Sequence, residues 1–124
     1  TLSTYREIMT DNDHDSLNLW ATEFGWPTYE DLPGAAPEVW MVSLSSEQQA
    51  DYVADAFAIG QGFEFMGPMF LWNLNFADTH TVANVGELAA YSLLYTPNDQ
   101  TVVERPVFRE LVRRLGSPDG SGGG

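Results

Sequence analysis

The chain of 124 residues has no cysteine and no lysine, and its only basic groups besides two histidines are five arginines, set against 18 acidic residues. Without cysteine, disulfides and cysteine-ligated metal sites are excluded. The formal net charge of -13 disfavours nucleic acid and anionic lipid as partners, because both would be repelled. A neutral partner, such as a sugar, carries no such penalty.

Long hydrophobic runs are also missing, so the sequence predicts no membrane-spanning helix. Hydrophobic residues nevertheless make up 44% of the chain and aromatic residues 13%, which is enough to build a core. We predict one domain over residues 1–115 and a flexible linker or tail over the Gly- and Ser-rich residues 116–124. Thr1 falls within a helical pattern, and we therefore interpret the chain as a fragment of a longer protein.

Residues 17–26 read Leu-Asn-Leu-Trp-Ala-Thr-Glu-Phe-Gly-Trp. The first half alternates between apolar and other residues, which predicts a β-strand over 17–24. Glu23 and Gly25 follow near its end. A short apolar strand that delivers one carboxylate at its C-terminal end is typical of catalytic groups in parallel barrels. A structural ion pair at a strand end fits this stretch equally well.

The remaining pattern alternates helices with strands. A second strand is predicted over residues 67–76, and it becomes polar through Asn73 and Asn75. Helices are predicted over 1–9, 45–60 and 106–115, and long loops over 27–44 and 77–90. This order indicates βαβ units and a parallel sheet. Two strands leave one sheet face and both edges open, so we expect a piece of a larger α/β fold or a self-associating chain.

Two acidic groups need separate interpretation. Asp11, Asp13 and Asp15 resemble the start of a calcium loop, but Ser16 and Thr22 stand where that loop has glycine and glutamate. We interpret this segment as a solvated loop and predict no metal and no cofactor. Asp51 and Asp55, four residues apart on a helix, are predicted to be plain solvent-facing charges.

Three segments, residues 20–26, 46–52 and 67–75, resemble the C-terminal part of bacterial (β/α)8-barrel glycoside hydrolases. The resemblance is to the clan with two catalytic glutamates, in its family 39-like or cellulase-like members, and it covers roughly residues 1–115. It implies an α/β fold that is the C-terminal portion of a TIM barrel, incomplete on its own. Residues 17–24 would be strand seven, residues 69–75 strand eight and residues 106–115 the closing helix.

The resemblance implies that Glu23 is the nucleophile of a retaining mechanism and that Trp72 is the aromatic platform under the sugar. It places Trp26 at the cleft rim. Asn73, Asn75 and His80 are further candidate substrate-binding residues, with strand-end capping and an ordinary loop position as the competing interpretations. The family's acid/base glutamate lies on strand four, outside this chain, so we expect the chain alone to be inactive.

The resemblance therefore implies a fragment of a hydrolase that cleaves O-glycosidic bonds in polysaccharide or oligosaccharide. Its partners would be a carbohydrate substrate and either the missing N-terminal part of the barrel or further copies of the chain. Two alternatives stay open: a non-catalytic carbohydrate-binding or cell-envelope protein that keeps Trp26, Trp40 and Trp72 without needing Glu23, and a self-assembling half barrel. An extracellular or cell-envelope location is implied by the resemblance and by the tail.

Overall fold

A computed structural model of the chain describes residues 1–84, 86–98 and 100–115, so the predicted tail over 116–124 lies outside the described residues. The described part is a mixed α/β fold with two small sheets and without a closed barrel. Within it, no helix has the length and apolar character needed to cross a membrane. Its elements are α1 (Leu2–Asp11), β1 (Leu19–Phe24), α2 (Ser46–Gln61), β2 (Met66–Leu71), β3 (Ala77–Asp78), α3 (Thr79–Asn84), α4 (Gly86–Ala90), β4 (Leu94–Asn98), β5 (Thr101–Glu104) and α5 (Pro106–Leu115).

Strands β1 and β2 are joined by α2 and pair in parallel, which confirms the central βαβ prediction. The segment between β1 and α2, predicted as a long loop, is irregular except for a 3-10 turn at Val39–Val42. Strand β2 ends at Leu71 and not at residue 76, because the chain turns away there and Asn73 begins a different set of hydrogen bonds. The strand pair is therefore shorter than predicted.

Helix α2 begins as its sequence predicts. The Ser45 hydroxyl accepts a hydrogen bond from the Gln48 backbone N–H at 3.0 Å, and the Gln48 side chain accepts one from the Ser45 N–H at 2.9 Å. This capping box satisfies two donors that the helix itself cannot pair. Helix α5 begins at Pro106, whose fixed φ suits the first helical position. The two helices pack around Ala50, Val53 and Val107.

Asp51 and Asp55 are exposed, as predicted, and both carboxylates in addition pair with the same arginine. Arg114 of α5 lies 3.1 Å from Asp51 and 2.5 Å from Asp55, and it also pairs with Glu110 one turn earlier. Helix periodicity alone placed the two aspartates on an exposed face, and only the packing of α5 against α2 brings a cation to them.

We expect this largely solvent-exposed charge network to make a small contribution to the acid sensitivity of the fold. Hydrogen bonds from Arg113 and then Arg114 hold the pKa of Glu110 at about 2, below its ordinary value. Because the folded-state pKa is lowered, the stabilisation is complete above the ordinary glutamate pKa of about 4.3 and is lost as the pH falls toward 2. In urea unfolding at several pH values, Glu110→Gln should be less stable than the parent at neutral pH and should converge with it toward the acid end. A constant offset at all pH values would contradict this.

The predicted loop over 77–90 is wrong, because it contains β3, α3 and α4. Strand β3 has two residues and exists only through parallel pairing with β4, Ala77 opposite Tyr95 and Asp78 opposite Thr96. Strand β4 runs to Asn98 before the chain reverses into β5. Such short strands leave no local pattern to detect.

The 27–44 segment packs against this second sheet. Tyr29 is buried, its hydroxyl donates to the Val82 carbonyl at 2.9 Å, and its backbone N–H donates to the Met41 carbonyl at 2.8 Å. A second core surrounds it, made of Tyr29, Leu32, Met41, Ala77, Ala89 and Ala90. The long segment is therefore an anchored part of the domain, which agrees with its large apolar residues.

The first sheet, in contrast, is covered on one face only. Trp20 is 58% exposed and Phe70 is 52% exposed, and their ring centroids lie 6.5 Å apart across the open face. Among the described residues each of the two strands pairs only with the other, so both sheet edges are open as well. A two-stranded sheet with these open surfaces gains little stability by itself.

Candidate active site

A bulge in β1 orients Glu23. Ala21 is opposite Met69 and Phe24 is opposite Leu71, so β1 has one residue more than β2 between these pairs. Ala21 and Phe24 are therefore both partly buried, while Thr22 and Glu23 are exposed. Strict alternation would place Glu23 on the covered face with Ala21. β-Bulges re-aim side chains in this way and are common beside functional sites.

Glu23 opens onto a pocket of about 260 Å³ where β1 and β2 end. Trp72, the first residue after β2, forms another part of the lining, so the structure brings together the two residues that the sequence places at one sheet edge. The complete lining is Glu23, Phe24, Gly25, Trp72, Glu87, Leu88 and Tyr91. Its volume is slightly below the range of roughly 300–1,000 Å³ that is usual for ligand sites.

No cation compensates Glu23 within the described part of the chain. Of its five arginines, Arg105, Arg113 and Arg114 form ion pairs with other carboxylates. Arg6 and Arg109 donate to backbone carbonyls of Leu17, Asp15 and Glu104. The arrangement therefore lacks the salt bridge that a purely structural role for this glutamate would use.

Trp72 is held by the sheet and by a second aromatic ring. Its backbone N–H donates to the Phe24 carbonyl at 2.8 Å, which extends the β1–β2 ladder by one residue. Its indole lies 5.4 Å from the Phe76 ring, centroid to centroid, and the Trp72–Asn73 peptide is cis. The indole is half-buried, so part of its surface is available to a ligand.

Gly25 allows the backbone of Trp72 to approach it closely in the pocket wall. A Cβ atom at this position would lie 2.6 Å from the Trp72 carbonyl oxygen and 3.3 Å from Cδ1 of Tyr91. The first distance is to backbone, which cannot move aside without displacing Trp72. The sequence motif Glu-Phe-Gly-Trp thus has a packing reason for its glycine.

We expect Gly25→Ala to lower the free energy of unfolding by about 1–3 kcal/mol, as overpacking does. Urea unfolding followed by circular dichroism measures this change. Gly62→Ala is the matched control, because its Cβ would come no closer than 3.2 Å to another atom. Equal effects of the two substitutions would show that the close approach at Gly25 has no energetic weight.

The polar candidates Asn73, Asn75 and His80 do not line this pocket. Asn73 is buried, and its side chain donates to the Leu88 carbonyl at 3.0 Å and accepts from the Ser92 hydroxyl at 2.7 Å. Asn75 donates to the Thr96 hydroxyl at 2.7 Å, and His80 lies exposed on α3 beside Asn84. For Asn73 the observed bonds match the strand-end capping interpretation.

Trp26 also lies away from the pocket. Its ring meets Phe24 and Tyr52 edge-on, with centroids 6.4 and 5.9 Å away, and it packs against the core between α2 and α5. Its carbonyl accepts a 2.6 Å hydrogen bond from the buried side chain of Gln49. These contacts give Trp26 a packing position, and it does not belong to the pocket lining. The rim position that the resemblance implies stays a prediction.

Glu87 and Tyr91 are pocket residues that sequence reasoning missed. Both belong to one short segment, which consists of α4 (Gly86–Ala90) and the residue after it. The two residues are four positions apart in the sequence. Helical spacing of four puts two side chains on one face, so the pair was detectable once a helix was assumed there. Burial, followed by the charge of Glu87, raises the pKa of the Tyr91 phenol.

Arg105 fixes this wall of the pocket to the segment that follows β1. Its guanidinium pairs with both carboxylate oxygens of Asp31, at 2.7 and 2.9 Å. It also donates to four backbone carbonyls, which belong to Thr28, Ala89, Ala90 and Ser92. Because three of these acceptors surround Tyr91, the arginine determines where that residue sits.

The described residues contain no group of three or more histidine, aspartate or glutamate side chains arranged to hold a metal ion. The lining of the pocket offers two carboxylates, a phenol and an indole. Comparison of the chain with protein-family models, with curated protein sequences and with solved structures gives no significant match.

Proposed function

We propose that this chain is the C-terminal part of a retaining glycoside hydrolase barrel and that Glu23 is the nucleophile. The observation that supports the proposal is the parallel pair β1–β2, whose C-terminal ends bring Glu23 and Trp72 to one pocket. In α/β barrels this end of the strands carries the active site. The substrate would be a polysaccharide or oligosaccharide, cleaved at an O-glycosidic bond.

A retaining mechanism uses two carboxyl groups, one as the nucleophile and one as the acid/base, and Glu23 would be the nucleophile. The Glu23 carboxylate attacks the anomeric carbon, and the leaving oxygen takes a proton from a second carboxylic acid, which gives a covalent glycosyl-enzyme. Water then attacks that carbon with the second carboxylate as base, and Glu23 leaves as a carboxylate. In retaining enzymes the two groups lie about 5–5.5 Å apart. The acid belongs to a strand outside this chain.

The open sheet supports the need for further strands. Trp20 and Phe70 occupy the face that a closed barrel would turn inward, and both edges of the sheet can accept another strand. The missing N-terminal part of the barrel, or further copies of this chain, would cover them. Light scattering separates these: a discrete oligomer of the purified chain supports self-assembly. Secretion to the cell surface or beyond is part of the same proposal.

Carbohydrate binding by the chain tests the proposal at the pocket. In titrations with neutral β-linked oligosaccharides followed by NMR, we expect the indole N–H of Trp72 to shift and Trp72→Ala to abolish binding. Trp40→Ala is the matched control, because Trp40 is an exposed tryptophan outside the pocket lining. Loss of binding in the control instead would favour the non-catalytic carbohydrate-binding alternative.

A further inference from the structure

We propose that Glu87 is a specificity-determining residue and that the pocket prefers a sugar carrying a positively charged amino group. This inference rests on the carbohydrate function proposed above and names the substrate class. Neutral sugars would bind less tightly, and acidic sugars least.

The negative charge around the pocket favours a cationic ligand. Glu23 enters from the end of β1 and Glu87 from α4, so two separate elements each contribute a carboxylate to one cavity. No lysine exists in the chain, and all five arginines are bound elsewhere in the described part. Among the described residues, no arginine therefore pairs with the carboxylates of this pocket.

The aromatic lining also favours a cationic ligand. Trp72 and Tyr91 supply ring surface to the same cavity as the two carboxylates. Aromatic faces attract cations as well as the apolar faces of sugar rings, and this attraction grows when water is partly excluded. An ammonium group on the sugar can thus be attracted both by the carboxylates and by the aromatic rings. A hydroxyl group in the same place carries no charge and gains neither attraction.

The probes are three β-linked tetrasaccharides of glucosamine, glucose and glucuronic acid, titrated into the 124-residue chain by calorimetry. In weakly acidic buffer the amino groups of the first probe are protonated. We expect it to bind roughly fivefold more tightly than the glucose probe, as for a partly exposed ion pair, and the glucuronic acid probe to bind most weakly. Added salt should remove most of this preference.

Glu87→Gln keeps the size of the side chain and removes its charge. It should lower the preference for the glucosamine probe, measured as the ratio of the two dissociation constants, to about twofold or less. Glu47→Gln is the matched control, because Glu47 also lies in the first turn of a helix but outside the pocket lining. The control corrects for the loss of an acidic group at a helix N-terminus.

The outcomes separate this inference from the function on which it rests. If the glucose and glucosamine probes bind equally well, or if Glu87→Gln leaves their ratio unchanged, the inference is overturned and the carbohydrate site stands. If none of the three probes binds, the proposed function fails and the inference fails with it. A lowered ratio in Glu87→Gln and an unchanged ratio in Glu47→Gln support it.

Discussion

Arg105→Ala is expected to lower the free energy of unfolding by about 3–5 kcal/mol, the cost of breaking a buried ion pair from one side. The Arg105 side chain is 1% exposed, while its partner Asp31 is 21% exposed. Truncation leaves the carboxylate without its cation and removes one donor from each of four backbone carbonyls. The carbonyls of Ala89 and Ala90 keep other donors, whereas those of Thr28 and Ser92 lose the donor that Arg105 supplies. Those carbonyls anchor both the segment after β1 and the wall that carries Tyr91, so the loss should spread through the pocket.

Urea unfolding followed by circular dichroism measures the effect, and Arg113→Ala supplies the control. Arg113 also forms an ion pair, with Glu110, but its side chain is 67% exposed. Exposed pairs contribute little, since water and salt already screen both charges. If the urea midpoint shifted as much for Arg113→Ala as for Arg105→Ala, the anchoring role assigned to Arg105 would be contradicted.

Glu23→Gln is expected to have a large effect in a protein that also carries the further barrel strands proposed above. We expect kcat for glycoside cleavage to fall by at least roughly a thousandfold, because nucleophile and acid act as a unit. The value of KM should change little, since glutamine preserves the size and polarity of the side chain. Steady-state kinetics on an aryl glycoside measures both constants.

Glu47→Gln is the control for this substitution, because it removes one charge from a helix outside the pocket. It should leave kcat unchanged. The 124-residue chain on its own should show no sustained turnover, because the proposal assigns the acid/base residue to a strand outside it. Turnover by this chain that Glu23→Gln abolishes would overturn that part of the proposal and would point to an acid within the chain itself.

Local sequence signals were sufficient to predict where two of the helices begin. Ser45 with Gln48 predicts the start of α2, and Pro106 predicts the start of α5. The parallel pairing of β1 and β2 followed from their connection through a helix. Strand β3 could not be found this way, because two residues carry no periodicity and only the pairing of Ala77 with Tyr95 makes them a strand.

The candidate site, too, could be predicted only in part from the sequence. Glu23 and Trp72 could be assigned to one edge of the sheet, because the C-terminal ends of neighbouring parallel strands meet there. The bulge that turns Glu23 to the open face is a property of register, which alternation along one strand cannot reveal. Glu87 reaches the pocket through the path of the chain after β2, and this path depends on the distant Arg105.

Covalent trapping can identify the nucleophile of a retaining glycosidase. A 2-deoxy-2-fluoroglycosyl fluoride needs no acid, because fluoride leaves unaided when a carboxylate attacks the anomeric carbon, and the fluorine at C2 slows hydrolysis of the ester. Incubation with a protein containing this chain, followed by peptide mass spectrometry, should locate the sugar on Glu23, and Glu23→Gln should stay unlabelled. A sugar ester on Glu87 or another carboxylate, or no ester in a protein that binds the sugar, would contradict the account.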